Sequence, residues 1–292
     1  MIYINSMRGW AVQIWSLGIL FTLAGCGGGG GGSASSSSQN AVPAGTISTL
    51  VSSNLLNDPK RVAYDPTNQV FYVTAWNPDN SANDWILKIS GAGVVSTYAT
   101  LDSPIGIALN PYDGDKVYVT ALSAAGWVQA GIGVASPIAF KYAVNHAGLA
   151  FGGNYAIAAD FDEVKLVNPT TWAAPVKTVN APVANGAVGG VTYGLNNKAF
   201  FSVPGPGPGA DSIYHFDVTQ TPPTAQAINL GGYALHEPYS LSVDAGGNLY
   251  VLNKNNAANN GEGALVKIAD PTGTPVVTEL VGANSGICGA TA

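Results

Sequence analysis

VAYDPTNQVFYVT, residues 62–74, reads as a strand of small and apolar residues, a short Asp/Asn turn and an aromatic-rich strand. The same phrase returns as IALNPYDGDKVYVT from Ile107 to Thr120 and as LSVDAGGNLYVLN from Leu241 to Asn253. Fainter copies bring the set to five, with the first strands aligned at PKRVAYD (Pro59), PIGIALN (Pro104), HAGLAFG (His146), VGGVTYG (Val188) and PYSLSVD (Pro238). The spacings are 45, 42, 42 and 50 residues. Each interval holds one four-stranded unit that cannot bury both its faces alone and must stack on copies of itself. The expected fold is therefore all-β, a β-propeller of four-stranded blades.

Inside the repeat, residue types follow position. The third residue of each innermost strand is Arg61, Gly106, Gly148, Gly190 or Ser240, and the fifth is Ala63, Ala108, Ala150, Thr192 or Ser242. Small side chains there let the inner strands crowd around an axis, and Arg61 is the exception. The second strands (QVFYVT at Gln69, KVYVT at Lys116, NYAIAA at Asn154, KAFFSV at Lys198, NLYVLN at Asn248) carry aromatic residues suited to packing one blade on the next. Third strands repeat apolar, Lys, apolar at Lys88, Lys165 and Lys267, where a solvated or snorkelling lysine is the simplest reading.

The chain of 292 residues is 47% hydrophobic and only 10% charged, with 37 glycines, which suits a large core cut by many tight turns. No helix-period stretch stands out after residue 26. GTISTLV from Gly45 resembles the outer strand GVVSTYA from Gly93, so the chain is expected to enter as an outer strand. After the fifth repeat, ANSGICGATA supplies one inner strand of an incomplete closing blade. That pattern suits a six-bladed ring whose last blade continues beyond Ala292, with five blades and a two-stranded seam as the alternative.

The start reads as a targeting segment. Arg8 provides a positive charge, residues 9–22 an apolar run, and Leu23-Ala24-Gly25-Cys26 follows. Met7 is a second plausible initiator. The tetrad resembles the lipobox of bacterial lipoproteins, in which the cysteine is acylated and becomes the mature N-terminus. The resemblance implies a signal peptide at 1–25 and palmitate-type lipidation of Cys26. It also implies a Gly/Ser tether at 26–44 that cannot bury enough apolar surface to fold, and a propeller at 45–292. Gly27 after the cysteine implies, by the same resemblance, the outer membrane of the cell envelope. Cys288 is then left without a disulfide partner and is expected to be buried as a small hydrophobe.

The phrase Pro-x-small-apolar-small-x-Asp followed by Gly-Asn-Leu-Tyr-Val, most complete from Pro238 to Val251, resembles NHL-type propellers and the related gluconolactonase-like and streptogramin-lyase groups. The resemblance implies a ligand-accepting channel end or a protein-binding face, with enzymes in some branches. A lactonase of that kind holds a divalent cation through oxygen ligands. Candidates for Ca²⁺ are Asp160, Asp162 and Glu163 in one hairpin, with Glu237, Asp244, Asp65 and Asn110 elsewhere. Asp65, Asn110 and Asp244 occupy the repeated turn, where Asp and Asn cap backbone amides. Gly152 and Gly194 stand at the same place in their repeats. Pro238-Tyr239-Ser240 also lacks the acidic residue of the lactonase pattern.

Three histidines are too scattered for zinc. His215 replaces the repeated lysine, His146 begins an inner strand, and His236 with Glu237 forms a candidate acid/base pair before the fifth inner strand. The loops between second and third strands (residues 77–84, 122–129, 204–211 and 253–263) share one rim and are rich in Asn, Gly and Pro. Eleven basic residues against 17 acidic, with no basic stripe, disfavour nucleic acid. The expected function is a lipid-anchored envelope module, held to the membrane at Cys26, that binds or scaffolds a protein or glycan at that rim. The alternative is a metal-dependent lactonase, hydrolase or lyase at the channel mouth.

Overall fold

The computed structural model describes residues 11–12, 51–53, 55–56, 58–76, 84–121, 126–130, 135–139, 148–160, 162–172, 175–182, 188–205, 211–253 and 264–281. The short strands β1 (Ala11–Val12) and β2 (Val51–Ser52) pair antiparallel. Blade one is β3 (Pro59–Asp65), β4 (Val70–Ala75), β5 (Asp84–Ser90) and β6 (Val95–Leu101). Blade two is β7 (Pro104–Asn110), β8 (Lys116–Ala121), β9 (Gly126–Ala130) and β10 (Ala135–Ala139). Blade three is β11 (Leu149–Gly152), β12 (Tyr155–Asp160), β13 (Glu163–Val167) and β14 (Lys177–Asn180). Blade four is β15 (Val191–Tyr193), β16 (Lys198–Val203), β17 (Ser212–Asp217) and β18 (Gln226–Ala227). Blade five is β19 (Pro238–Val243), β20 (Leu249–Asn253), β21 (Ala264–Ala269) and β22 (Val276–Val281).

The described residues thus form five four-stranded sheets, each a meander in chain order, arranged as a propeller. Antiparallel neighbours joined by short turns follow from the strand-turn-strand phrase. Both faces of a blade are covered, so a second strand such as β4 is buried along its whole length rather than at alternate residues.

Four apolar clusters join successive blades. Val70, Tyr72 and Ile86 meet Ile107 and Val119 between blades one and two. Tyr118 meets Leu149, Phe151 and Trp172 between two and three, its ring stacked on Trp172 at 5.0 Å. Ile157 and Leu166 meet Val191, Phe201 and Phe216 between three and four. Phe200 and Ile213 meet Leu241, Leu249 and Val266 between four and five. The expected role of the second-strand aromatics as inter-blade packing is what the structure shows. The other face of blade one is covered by Val51 and Leu56. The incomplete closing blade and Cys288 fall outside the described residues.

Small residues at the third position have the expected cause. A Cβ on Gly190 would lie 2.7 Å from the Tyr239 carbonyl oxygen, and one on Gly148 would lie 2.8 Å from the Val191 amide nitrogen. The backbone of the next inner strand occupies that space. Second-strand hydroxyls then reach the same level. Thr74 Oγ1 accepts from the Arg61 amide (3.1 Å) and donates to the Ile105 carbonyl of blade two (2.7 Å). Thr120 accepts from the Gly106 amide at 2.8 Å and Ser202 from the Gly190 amide at 2.9 Å.

Two expectations are corrected. Gly152 does more than serve a turn, because the Tyr193 ring of blade four fills the place of its absent side chain, within 2.0 Å of where a Cβ would be. The third-strand lysine of blade three is not a solvated side chain. Lys165 Nζ is paired with Asp160 and, at 3.0 Å, with Glu163, and its side chain is only 13% exposed. His215, in the matching place of blade four, is buried with Nδ1 lacking a partner and lies beside Phe200.

Candidate functional site

Each inner strand, β3, β7, β11, β15 and β19, is the edge strand of its sheet. Its backbone N–H and C=O groups are laddered on one side only, and an edge strand turned toward the axis presents the others to whatever fills the channel. The five strands surround a cavity of about 250 Å³. The cavity is walled from the third to the sixth residue of these strands, with Arg61, Gly148, Gly190 and Ser240 at one end and Tyr64 and Leu109 at the other. Beyond the Arg61 end Pro59, Pro104, Ile105, Gly189 and Pro238 are buried, whereas Tyr64 at the opposite end is 46% exposed. Among the described residues the channel is therefore more enclosed where the inner strands begin and more accessible from the turns that follow them.

Arg61 stands at the more enclosed end. Its guanidinium donates through Nη1 to the Lys60 carbonyl (3.3 Å) and through Nη2 to the carbonyls of Gly189 (3.3 Å) and Tyr239 (3.1 Å). It lies 4.0 Å from the centre of the Tyr239 ring. One side chain of blade one thus reaches backbone of blades four and five. Burial lowers its pKa, partly offset by Tyr239, yet a guanidinium stays charged at any ordinary pH. Among the described residues no carboxylate forms an ion pair with it.

His236 and Glu237 precede β19 and do not line the cavity. The His236 amide donates to Asn253 Oδ1 (3.2 Å), and the Glu237 amide, on a residue of φ 49°, donates to Asp211 Oδ1 (3.0 Å). At the end of β4, Trp76 donates to the Pro104 carbonyl at 3.0 Å while Lys60 Nζ sits 3.8 Å over its ring and 2.7 Å from Asp58.

The turn residues behave as caps. Asp244 accepts from the Gly246 and Asn248 amides (2.9 Å each), from Asn248 Nδ2 (2.8 Å) and from the Tyr250 hydroxyl (3.0 Å). Burial works to raise its pKa, but these bonds prevail and hold it below the ordinary value; the Tyr250 phenol, by burial and by Asp244, is pushed up to about 12. Asp65 has the same balance, burial opposed and outweighed by bonds from Asn68 and Thr67. Asn110 accepts from the Tyr112 amide at 3.0 Å. In the hairpin of blade three, Asp160 and Glu163 hold Lys165, and Asp162 is exposed. An ammonium there occupies the place a divalent cation would take, so this donor set does not fit Ca²⁺. Among the described residues no three His, Cys, Asp or Glu side chains converge as a metal-ligand group. Cys26, His146 and residues 77–83, 122–125, 206–210 and 254–263 of the rim loops lie outside the described residues. Among the described residues no helix is long and apolar enough to cross a membrane.

No family model matches the chain, and no curated protein matches it in sequence. Solved structures share its fold. A gluconolactonase of Xanthomonas campestris superposes with a TM-score of 0.56 at 11% identity, over 77% of this chain and 77% of that one. A candidate 6-phosphogluconolactonase of Bacteroides uniformis gives 0.55 at 17% identity, over 81% of this chain and 74% of that one. PorZ, a bacterial surface component of the type-IX secretion system of Porphyromonas gingivalis, gives 0.53 at 14% identity, over 76% of this chain and 34% of PorZ. At such identities the likeness establishes the β-propeller fold and extends no further.

Proposed function

We propose that this protein is a non-catalytic binding or scaffolding propeller of the bacterial cell envelope, lipid-anchored through Cys26 after removal of residues 1–25. Residues 26–44 tether a head that presents its loop rim to a protein or glycan. The ring is six-bladed in this reading.

The observation that carries the binding role is the commitment of the acidic side chains. Asp65 and Asp244 are held by their own turns, and Asp160 and Glu163 by Lys165. Among the described residues the axial cavity offers backbone edges, hydroxyls and one guanidinium, with no carboxylate or imidazole in its lining. Such a wall holds a ligand and has no group to move a proton at neutral pH. On the rim side, Trp76 with Lys60 beside it supplies an aromatic and polar surface of the kind glycans and protein partners use.

The test is crosslinking of the full chain in intact envelopes from probes placed at Asn77 and Lys254. A discrete crosslinked protein or glycan species supports the proposal; the same background from both rim probes and from a probe on the opposite face at Thr67 refutes it. Cys26→Ala should move the protein from the membrane to the soluble fraction. Retention in the membrane would overturn the anchor.

A further inference from the structure

We infer that the axial cavity is a binding site for a small hydrophilic oxyanion, held at Arg61. The chain has two arginines, Arg8 and Arg61, and the propeller's single one stands at the axis, where the other repeats place glycine or serine. It lines a cavity of about 250 Å³ at the more enclosed end. Three bonds tie it to backbone carbonyls, which carry partial but no full negative charge. Arg61 is partly buried and faces the Tyr239 ring; a cation withdrawn from water is further stabilised by an anion, and among the described residues no carboxylate pairs with it.

The rest of the lining fits the same ligand. At the Arg61 end, edge-strand amides and the Ser240 hydroxyl are donors of the kind an oxyanion's remaining lone pairs take. Among the described residues no carboxylate lines the wall to repel it. Access is from the turn side, past Tyr64, because among the described residues the other end is the more enclosed, by Arg61 and the buried residues above it. The site is separate from the loop rim, so it stands or falls apart from the partner proposed there.

The experiment is guanidine footprinting on the full chain. Methylglyoxal, small enough to enter the cavity, modifies accessible arginine, and peptide mass spectrometry reads Arg61 with Arg8 as the reference where the leader is retained. Labelling is measured in acetate, succinate or inorganic phosphate against sodium chloride at equal ionic strength and against uncharged glycerol. Arg61 labels in chloride and is protected severalfold by an oxyanion in a saturable way, while glycerol leaves it unchanged. Protection by the carboxylates alone identifies a carboxylic acid ligand, and protection by phosphate alone a phosphate. The same oxyanion raises the thermal midpoint of the wild type, and Arg61→Gln weakens its binding about tenfold or more, the loss expected of a charge-assisted hydrogen bond. Equal labelling in every solution overturns the proposal. So does a guanidinium that never labels, which would be a sealed brace, or an unchanged midpoint shift in Arg61→Gln. Should Arg61→Gln fail to fold, the footprint on the native chain decides alone.

Discussion

Replacing Thr74 by valine tests how the blades are fastened around the axis. The side chain is fully buried, and its hydroxyl serves two backbone groups at once, accepting from the Arg61 amide at 3.1 Å and donating to the Ile105 carbonyl of the neighbouring blade at 2.7 Å. Valine fills the same volume, so no cavity opens and the effect isolates the hydrogen bonds. Leaving a buried polar group unsatisfied costs about 1–3 kcal/mol. With two groups affected, Thr74→Val should destabilise the protein by about 2–6 kcal/mol, or about 4–24 °C in midpoint for a domain of this size. Thr120→Val removes the acceptor of one amide, that of Gly106, and should cost about half as much. Urea unfolding followed by tryptophan fluorescence gives both values. A Thr74→Val protein within about 0.5 kcal/mol of wild type, the range of neutral surface changes, would refute the reasoning. So would a larger loss in Thr120→Val.

Gly190→Ala places a methyl 2.7 Å from the Tyr239 carbonyl oxygen, against backbone that cannot swing aside, and should cost about 1–3 kcal/mol in the same assay, whereas Gly91→Ala, in ordinary contact at 3.5 Å, should be neutral. Asp244→Ala should lose about 1–2 kcal/mol through its turn amides and the Tyr250 hydroxyl, with bound calcium by elemental analysis unchanged from wild type. Four carboxylates have folded pKa values below the ordinary one: Asp113 through Lys116, Asp217 through Thr219, and Asp65 and Asp244 through turn bonds that outweigh burial. Their contribution is complete above the unfolded value of about 3.9 and is lost as pH falls through the depressed folded values; a thermal midpoint flat through that window would contradict it. Burial, with Lys198 nearby, lowers the pKa of His215. Its neutral form is favoured in the fold, so stability should fall as pH drops from about 6.5 toward the lower folded value, and His215→Phe should abolish that component.

The repeat was legible because a blade is a local object. Five copies of strand, turn and aromatic strand place β3, β7, β11, β15 and β19 and the strands that follow them, since the ladder partners lie within one turn of each other in sequence. The glycines at 148 and 190 could be assigned to the axis from the repeat alone. The turn roles of Asp65 and Asp244 were equally legible, because their bonds from backbone amides close within four residues along the chain.

What composition and spacing could not supply are contacts made between repeats. Arg61 stands in the sequence as an irregularity among small residues; its bonds span 128 residues to Gly189 and 178 to Tyr239, and only closure of the ring brings those carbonyls to it. The same holds for Tyr193 over Gly152 and for Thr74 bridging to Ile105. The sequence by itself determines the blades and their turns, because those interactions are short in the chain. The tertiary structure alone decides which end of the axis is the more enclosed and that the Arg61 guanidinium stands there, without a carboxylate partner among the described residues, because the potential and the cavity at the centre belong to five strands together.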